Sequence, residues 1–253
     1  MTEFATQTRG GTDAAVDTIP PAIYTVRMRK LFILSGLILL NMQMNVFSQT
    51  SAVQTAGNFF KTISDYYASI RDYTVNINVR ADKSSMAGTV IFKRPGLLRI
   101  NFTTPSRQVV LFNGDMLTVY IPGRSAILNQ AVNSNENQGV RMASAQGLSL
   151  MSRYYSVAFE AGQDPVPLED GSEESVIKLL LTRKTSAEGF STIKLAINPN
   201  SRLIRRMEGI TPQGVSYIFN FSSYRLNQGI SDQSFIFDPP STVNNYNNFL
   251  FSD

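Results

Sequence analysis

The side chains available for chemistry in these 253 residues are few, because the chain has no histidine, no cysteine and no tryptophan. Without histidine there is no imidazole base, no Ser–His–Asp triad and no HExxH zinc helix. Without cysteine there is no thiolate nucleophile, thiolate-held metal or disulfide. A catalyst would have to be built from Asp, Glu, Lys, Tyr, Ser and Thr, and no carboxylate pair is set apart by its spacing. The densest acidic group (Asp164, Glu169, Asp170, Glu173 and Glu174) lacks the alternating oxygen ligands of a calcium loop and reads as a solvated turn. No GxxxxGK[ST] phosphate loop occurs. Tyr66-Tyr67 and Tyr154-Tyr155 read as amphipathic packing near a surface. The expectation is a chain with no catalytic residue, no metal and no cofactor.

What remains is apolar surface. Hydrophobic residues make up 43% of the chain and charged residues 17%, enough for a sizeable core with a sparsely charged exterior. Val215, Tyr217, Phe219 and Phe221 alternate along one segment, and Leu98, Ile100 and Phe102 along another. A sheet closed around such faces is either filled by its own side chains or encloses an apolar cavity, and both readings stand at this point. In the second, Phe60, Ile63 and Tyr67 of an amphipathic helix, with Met142, Leu148 and Met151 of a Met/Leu-rich segment over residues 140–151, would form a cover. Methionine suits an adaptable apolar surface.

The elements that must position these residues follow from periodicity. Val53, Ala56, Phe60, Ile63, Tyr67 and Ile70 recur at helical spacing, with Thr50 or Ser51 as the expected cap and Asp72 as the expected end. Strands are expected at 74–80, 86–93, 97–103, 107–113, 116–121, 155–160, 176–183, 192–197, 203–210, 215–225 and 235–237. Asn113-Gly114 predicts a type I′ hairpin, and Arg94-Pro95-Gly96, Pro122-Gly123 and Asn198-Pro199-Asn200 predict turns. The pattern is a mainly β chain, with ten or eleven short strands forming an antiparallel sandwich or barrel as one domain over residues 49–253.

Ahead of that domain, Arg27-Met28-Arg29-Lys30 precedes ten apolar residues from Leu31 to Leu40, a basic and then apolar order that suits a cleaved export signal over residues 28–48. Residues 1–27 read as an extension ahead of a true start at Met28. An exported chain without cysteine or an anchor is expected to be periplasmic. The net charge of +4 is scattered, which argues against nucleic acid as a partner.

The stretch Gly88-Thr89-Val90-Ile91-Phe92-Lys93-Arg94-Pro95 resembles the G-x-hydrophobic-K-R-P strand and turn of the LolA family of periplasmic lipoprotein carriers. The apolar strand and hairpin through Asn113-Gly114, ending at Tyr120-Ile121-Pro122, and the Phe235-Ile236-Phe237-Asp238-Pro239-Pro240 segment resemble that family in the same order. The resemblance implies a half-closed antiparallel β-barrel with an α-helical lid. It also implies acylated lipoproteins as cargo, an inner-membrane ABC lipoprotein-releasing complex as donor, an outer-membrane receptor as possible acceptor, and a monomer. Arg94 would tie the lid to the barrel. Leu98 stands where the family carries an aromatic, so ring stacking is lost there. On the same fold, a lipid-responsive regulator of the envelope or a structural protein with a filled barrel are the rival readings, and bound acyl material would separate them from a carrier.

Overall fold

The computed structural model describes residues 54–132 and 147–249, which belong to one compact unit, Val53–Asp253. The expected signal segment and Met142 lie outside the described residues.

Helix α1 (Ala56–Ser69) starts at Thr55, whose Oγ accepts from the Asn58 N–H at 3.2 Å. The expected caps, Thr50 and Ser51, lie outside the described residues, and the cap inside them is a third hydroxyl residue with the same chemistry. The helix stops at Ser69, earlier than Asp72. Asp72 instead opens β1 (Asp72–Ala81), where its buried carboxylate accepts the backbone N–H groups of Gln228 at 2.7 Å and Gly229 at 3.1 Å.

The sheet continues with β2 (Ser84–Lys93), β3 (Leu97–Thr104), β4 (Val109–Phe112), β5 (Met116–Ile121) and β6 (Ala126–Ala131). Helix α2 (Gly147–Tyr154) leads into β7 (Tyr155–Phe159) and the two-residue β8 (Val166–Pro167). Then follow β9 (Ser175–Arg183), β10 (Thr192–Ile197), β11 (Ile204–Ile210), β12 (Ser216–Leu226) and β13 (Asn244–Asn247). The strand order is β13-β6-β5-β4-β3-β2-β1-β12-β11-β10-β9-β7, with β8 beside β9. Every pairing is antiparallel except β13 with β6. The two end strands, β13 and β7, each have a neighbour on one side only, so the sheet is the open, half-closed barrel expected, with helices over part of one face.

Among the described residues there are thirteen strands, where ten or eleven were expected. β6, β8 and β13 are additions. Residues 235–237 are not a strand: Asp232–Phe235 is a 3-10 turn, and the segment after it lies across the convex face, with Phe237 5.2 Å from the Tyr120 ring. Arg99 holds it there by donating to the carbonyls of Ser234 at 2.9 Å and Ile236 at 3.1 Å. The Asn113-Gly114 turn is not type I′ either. Only Gly114 takes positive φ, and Asn113 Oδ1 accepts from the N–H groups of Asp115 and Met116 in an Asx turn. Val215 precedes β12 and is exposed, so it is not part of that strand's face.

Helix α1 buries Ala56, Phe59, Phe60 and Ile63 against Met151 of α2, Tyr155 of β7 and the inward residues of β9, β10 and β11. Leu179, Leu181, Ile193 and Ile197 in this half are fully buried. A second cluster, Val75, Ile77, Val79 and Val90, lies under β1 and β2, with Leu98, Ile100, Phe219 and Phe221 packed on it. Phe221 touches both clusters, which makes them one continuous surface.

Candidate functional site

The strand registers place one apolar residue after another on the concave face. In β2 and β3, Val90 pairs with Ile100 and Phe92 with Leu98, and Phe102 stands opposite Gly88. Leu98 and Ile100 in turn pair with Phe112 and Val110 of β4, which pair with Leu117 and Val119 of β5. Val119 pairs with Leu128 of β6, and Leu128 with Tyr246 of β13. On the other side Ile77, Val79 and Ala81 pair with Phe221, Phe219 and Tyr217. A Cβ at position 88 would collide with the Asn101 carbonyl, so glycine is what lets β2 and β3 close up at this place.

The two halves of this face differ in cover. Beneath the helices it is a filled core, with Phe60, Ile63 and Met151 buried and Leu148 and Tyr67 packed against them. Across β3 to β6 the same face remains half-exposed at Leu98, Ile100, Phe102, Leu117, Val119 and Leu128, and at Tyr217 and Phe219 of β12. The filled-core reading therefore describes the half under the helices, while the other half is apolar surface left half-exposed. Tyr246 is 52% exposed at the sheet edge.

Arg94 fastens the helix to the sheet. Its Nε donates to the Ile70 carbonyl at 2.7 Å and an Nη donates to the Tyr67 carbonyl at 3.1 Å, both at the C-terminal end of α1. The Tyr67 carbonyl also accepts the Ile70 N–H that closes the helix, at 3.2 Å, and both carbonyls lie at the negative end of the helix dipole, where a guanidinium is favoured. A second clip sits beside it. The Tyr67 hydroxyl accepts the Ile204 N–H at 2.9 Å, while the Tyr224 hydroxyl donates to the Ile204 carbonyl at 3.0 Å. With the Tyr224 proton so used, the 3.3 Å contact between the two hydroxyls is a donation from Tyr67 to Tyr224. Burial pushes the hydroxyl pKa of Tyr67 up and that of Tyr224 well up, and it also raises that of Tyr73, which stacks on Phe92 with centroids 5.0 Å apart. The N-terminal half of α1 is held by apolar contact, including Phe59 against Phe159 at 6.1 Å. The helix is thus hydrogen-bonded at one end and greasy at the other.

Two members of the acidic group of the sequence form surface ion pairs. Glu174 takes Arg205 at 2.6 Å, and Glu169 takes Arg206 at 2.7 Å, which lowers the Glu169 pKa through that bond. Their job is to brace the loop before β9.

Of the residues expected at the site, the structure places Leu98, Ile100, Phe102, Tyr217 and Phe219 on the concave face, Phe60, Ile63, Tyr67, Leu148 and Met151 in or against the core under the helices, and Arg94 at the end of α1. Sequence reading missed Val110, Phe112, Leu117, Val119, Leu128 and Tyr246 as part of the same face. The alternation of β4 and β5 could have supplied the first four. Leu128 needed β6 to be recognised, and Tyr246 needed a pairing more than a hundred residues away.

The family model described as outer membrane lipoprotein carrier protein LolA matches residues 77–238, more than half of the chain. An outer-membrane lipoprotein carrier protein of Pseudomonas paraeruginosa is 24% identical over 157 residues, covering 62% of this chain and 69% of the relative. A protein of the same description from Neisseria meningitidis serogroup B is 23% identical over 171 residues, covering 68% and 76%. Among solved structures, an uncharacterized conserved protein from Thermus thermophilus superposes with a TM-score of 0.52 at 11% identity, covering 77% of this chain and 99% of its own, a likeness of fold.

Proposed function

Since the chain belongs to the LolA family of outer membrane lipoprotein carrier proteins, we propose that it is a periplasmic carrier that shelters the acyl chains of lipoproteins on their way from the inner to the outer membrane. The observation that carries this reading is the uneven cover of one continuous apolar face. Under the helices it is packed shut, whereas Leu98, Ile100, Phe102, Leu117, Val119 and Leu128 are left half-exposed.

The energetics suit transport. An acyl chain gains about 0.8 kcal/mol for each CH₂ removed from water. A soluble carrier must recover part of that and still release its load, so a shallow face with a movable cover serves better than a tight pocket. α1 suits such movement, because it is seated on the sheet by a few hydrogen bonds at its Arg94 and Tyr67 end and, among the described residues, by side-chain packing at its other end, contacts that lifting the helix would break. The role is binding rather than catalysis. The donor would be an inner-membrane ABC lipoprotein-releasing complex and the acceptor an outer-membrane receptor.

The test is extraction. Incubated with inner-membrane vesicles that hold an acylated lipoprotein and the releasing complex, the purified protein is expected to move lipoprotein into the soluble fraction, and mass spectrometry is expected to find acyl chains on it. No extraction, with a protein purified free of acyl material, would sink the carrier reading.

A further inference from the structure

At the end of the barrel remote from the Arg94 turn, the β3–β4 and β5–β6 connections enclose a cleft of about 530 Å³. Its only charged lining residues are Arg107 and Arg124, one from each connection, and Pro105, Ile121 and Pro122 supply apolar wall. Among the described residues neither arginine has an ion pair, a hydrogen bond or a ring contact, and no carboxylate lines the cleft. Two unpaired guanidiniums facing one space repel each other and gain from a shared anion. Arginine's planar fork is well matched to phosphate oxygens.

Arg107 also holds a left-handed backbone, with φ +60°. Glycine or asparagine would occupy that turn more cheaply, so the guanidinium is carried against the local conformational preference.

The cleft joins the acyl face. Ile121 lines the cleft and is also the last residue of β5, where its pairing with Ala126 continues the concave row of Leu117 and Val119. A ligand with its anion between the arginines would have apolar strand surface directly below. That is the layout of a phosphate-bearing diacyl lipid.

We infer that the Arg107/Arg124 cleft binds the phosphate head group of an anionic membrane phospholipid whose acyl chains run onto the concave face. The inference rests on the acyl-carrier reading and extends its ligand class from lipoproteins to phospholipid. A lipoprotein's acylated terminus carries no phosphate, so the cleft would distinguish the two loads.

Two fluorescent probes with identical acyl chains, a phosphatidylglycerol and a neutral diacylglycerol, are titrated into the purified full chain below their aggregation concentrations. Wild type is expected to bind the phosphatidylglycerol about tenfold more tightly, with the preference shrinking as salt is raised. The double variant Arg107→Gly/Arg124→Gln is expected to bring phosphatidylglycerol down to the diacylglycerol level and to leave diacylglycerol unchanged. Glycine adopts φ +60° freely, so the thermal midpoint of the variant should equal or exceed that of wild type. Equal binding of both probes by wild type, or a preference that survives in the variant, overturns the head-group site while the acyl face stands. Binding of neither probe overturns the acyl-carrier reading itself, and this inference with it. Displacement of the phosphatidylglycerol by inorganic phosphate at matching concentrations would mark a site for soluble phosphate and overturn the lipid assignment.

Discussion

Arg94 shows how one side chain can set the balance between a closed and an open carrier. Its two donations go to the carbonyls of Ile70 and Tyr67 at the C-terminal end of α1, the second of which it shares with the Ile70 N–H. Hydrogen bonds from a charged donor contribute about 1.5–3 kcal/mol each at most, less where water reaches them. If these bonds exist only while α1 is seated, they oppose every load that lifts the helix. Arg94→Leu removes them without touching the buried clusters. The variant is expected to fold, to lose about 2 kcal/mol in urea unfolding, and to hold acyl cargo about thirtyfold more tightly, because the closed state loses what the loaded state never had. Transfer assays should then find cargo retained on the carrier. Passage of cargo at the wild-type rate would remove Arg94 from the release step.

At the scale of elements, the seat of α1 depends on protons as well as on packing. Tyr67 and Tyr224 form a relay that satisfies both the N–H and the carbonyl of Ile204 at the start of β11, and burial holds their pKa values above the ordinary 10.0. Tyr73 is raised by burial in the same way. Unfolded tyrosines would ionise near the ordinary value while these stay protonated, so the folded state binds more protons above it. Stability from this source is therefore complete below about pH 10 and falls as pH rises further, by up to about 1.4 kcal/mol per pH unit for each tyrosine. Urea unfolding between pH 8 and 11 is expected to show this decline, and Tyr224→Phe should make it shallower. An unchanged slope would mean that the relay does not hold in solution.

The elements also show which parts of the fold the chain spells out locally. The alternation of Val75, Ile77 and Val79, and of Leu98, Ile100 and Phe102, needs no partner to be read, and both segments are strands. The stripe of Phe60, Ile63 and Tyr67 is equally explicit. What escaped reading depends on distant contacts. Asn129 and Gln130 break the apolar rhythm of β6, yet the strand forms because β5 and β13 flank it. Phe235 to Phe237 has a strand's composition, but Arg99 and Tyr120 recruit it as a strap over the convex face. The tail strand Asn244–Asn247 has four exposed residues and no apolar pattern of its own.

For the whole molecule, the decisive property is that one sheet face serves as core in one half and as accessible apolar surface in the other, and the sequence signal for the two halves is the same. Leu179 and Ile100 are both inward aliphatics on central strands, but Leu179 is fully buried beneath α1 and Ile100 is half-exposed. Periodicity reports the direction of a side chain, while cover is decided by where the helices land. The two positions should therefore respond differently to a charge. Leu179→Asp places an uncompensated carboxylate in a closed core, a cost of several kcal/mol that approaches the total stability of an ordinary domain, so little folded protein is expected. Ile100→Asp points its carboxylate into a space that water reaches. It should leave circular dichroism and cooperative unfolding largely intact while reducing binding of the neutral diacylglycerol probe by tenfold or more, because hydrocarbon would have to pack against a charge. Equal damage to folding at both positions would show that the β3 to β6 half is closed core as well, and a folded Ile100→Asp protein with undiminished probe binding would place the acyl chains elsewhere on the molecule.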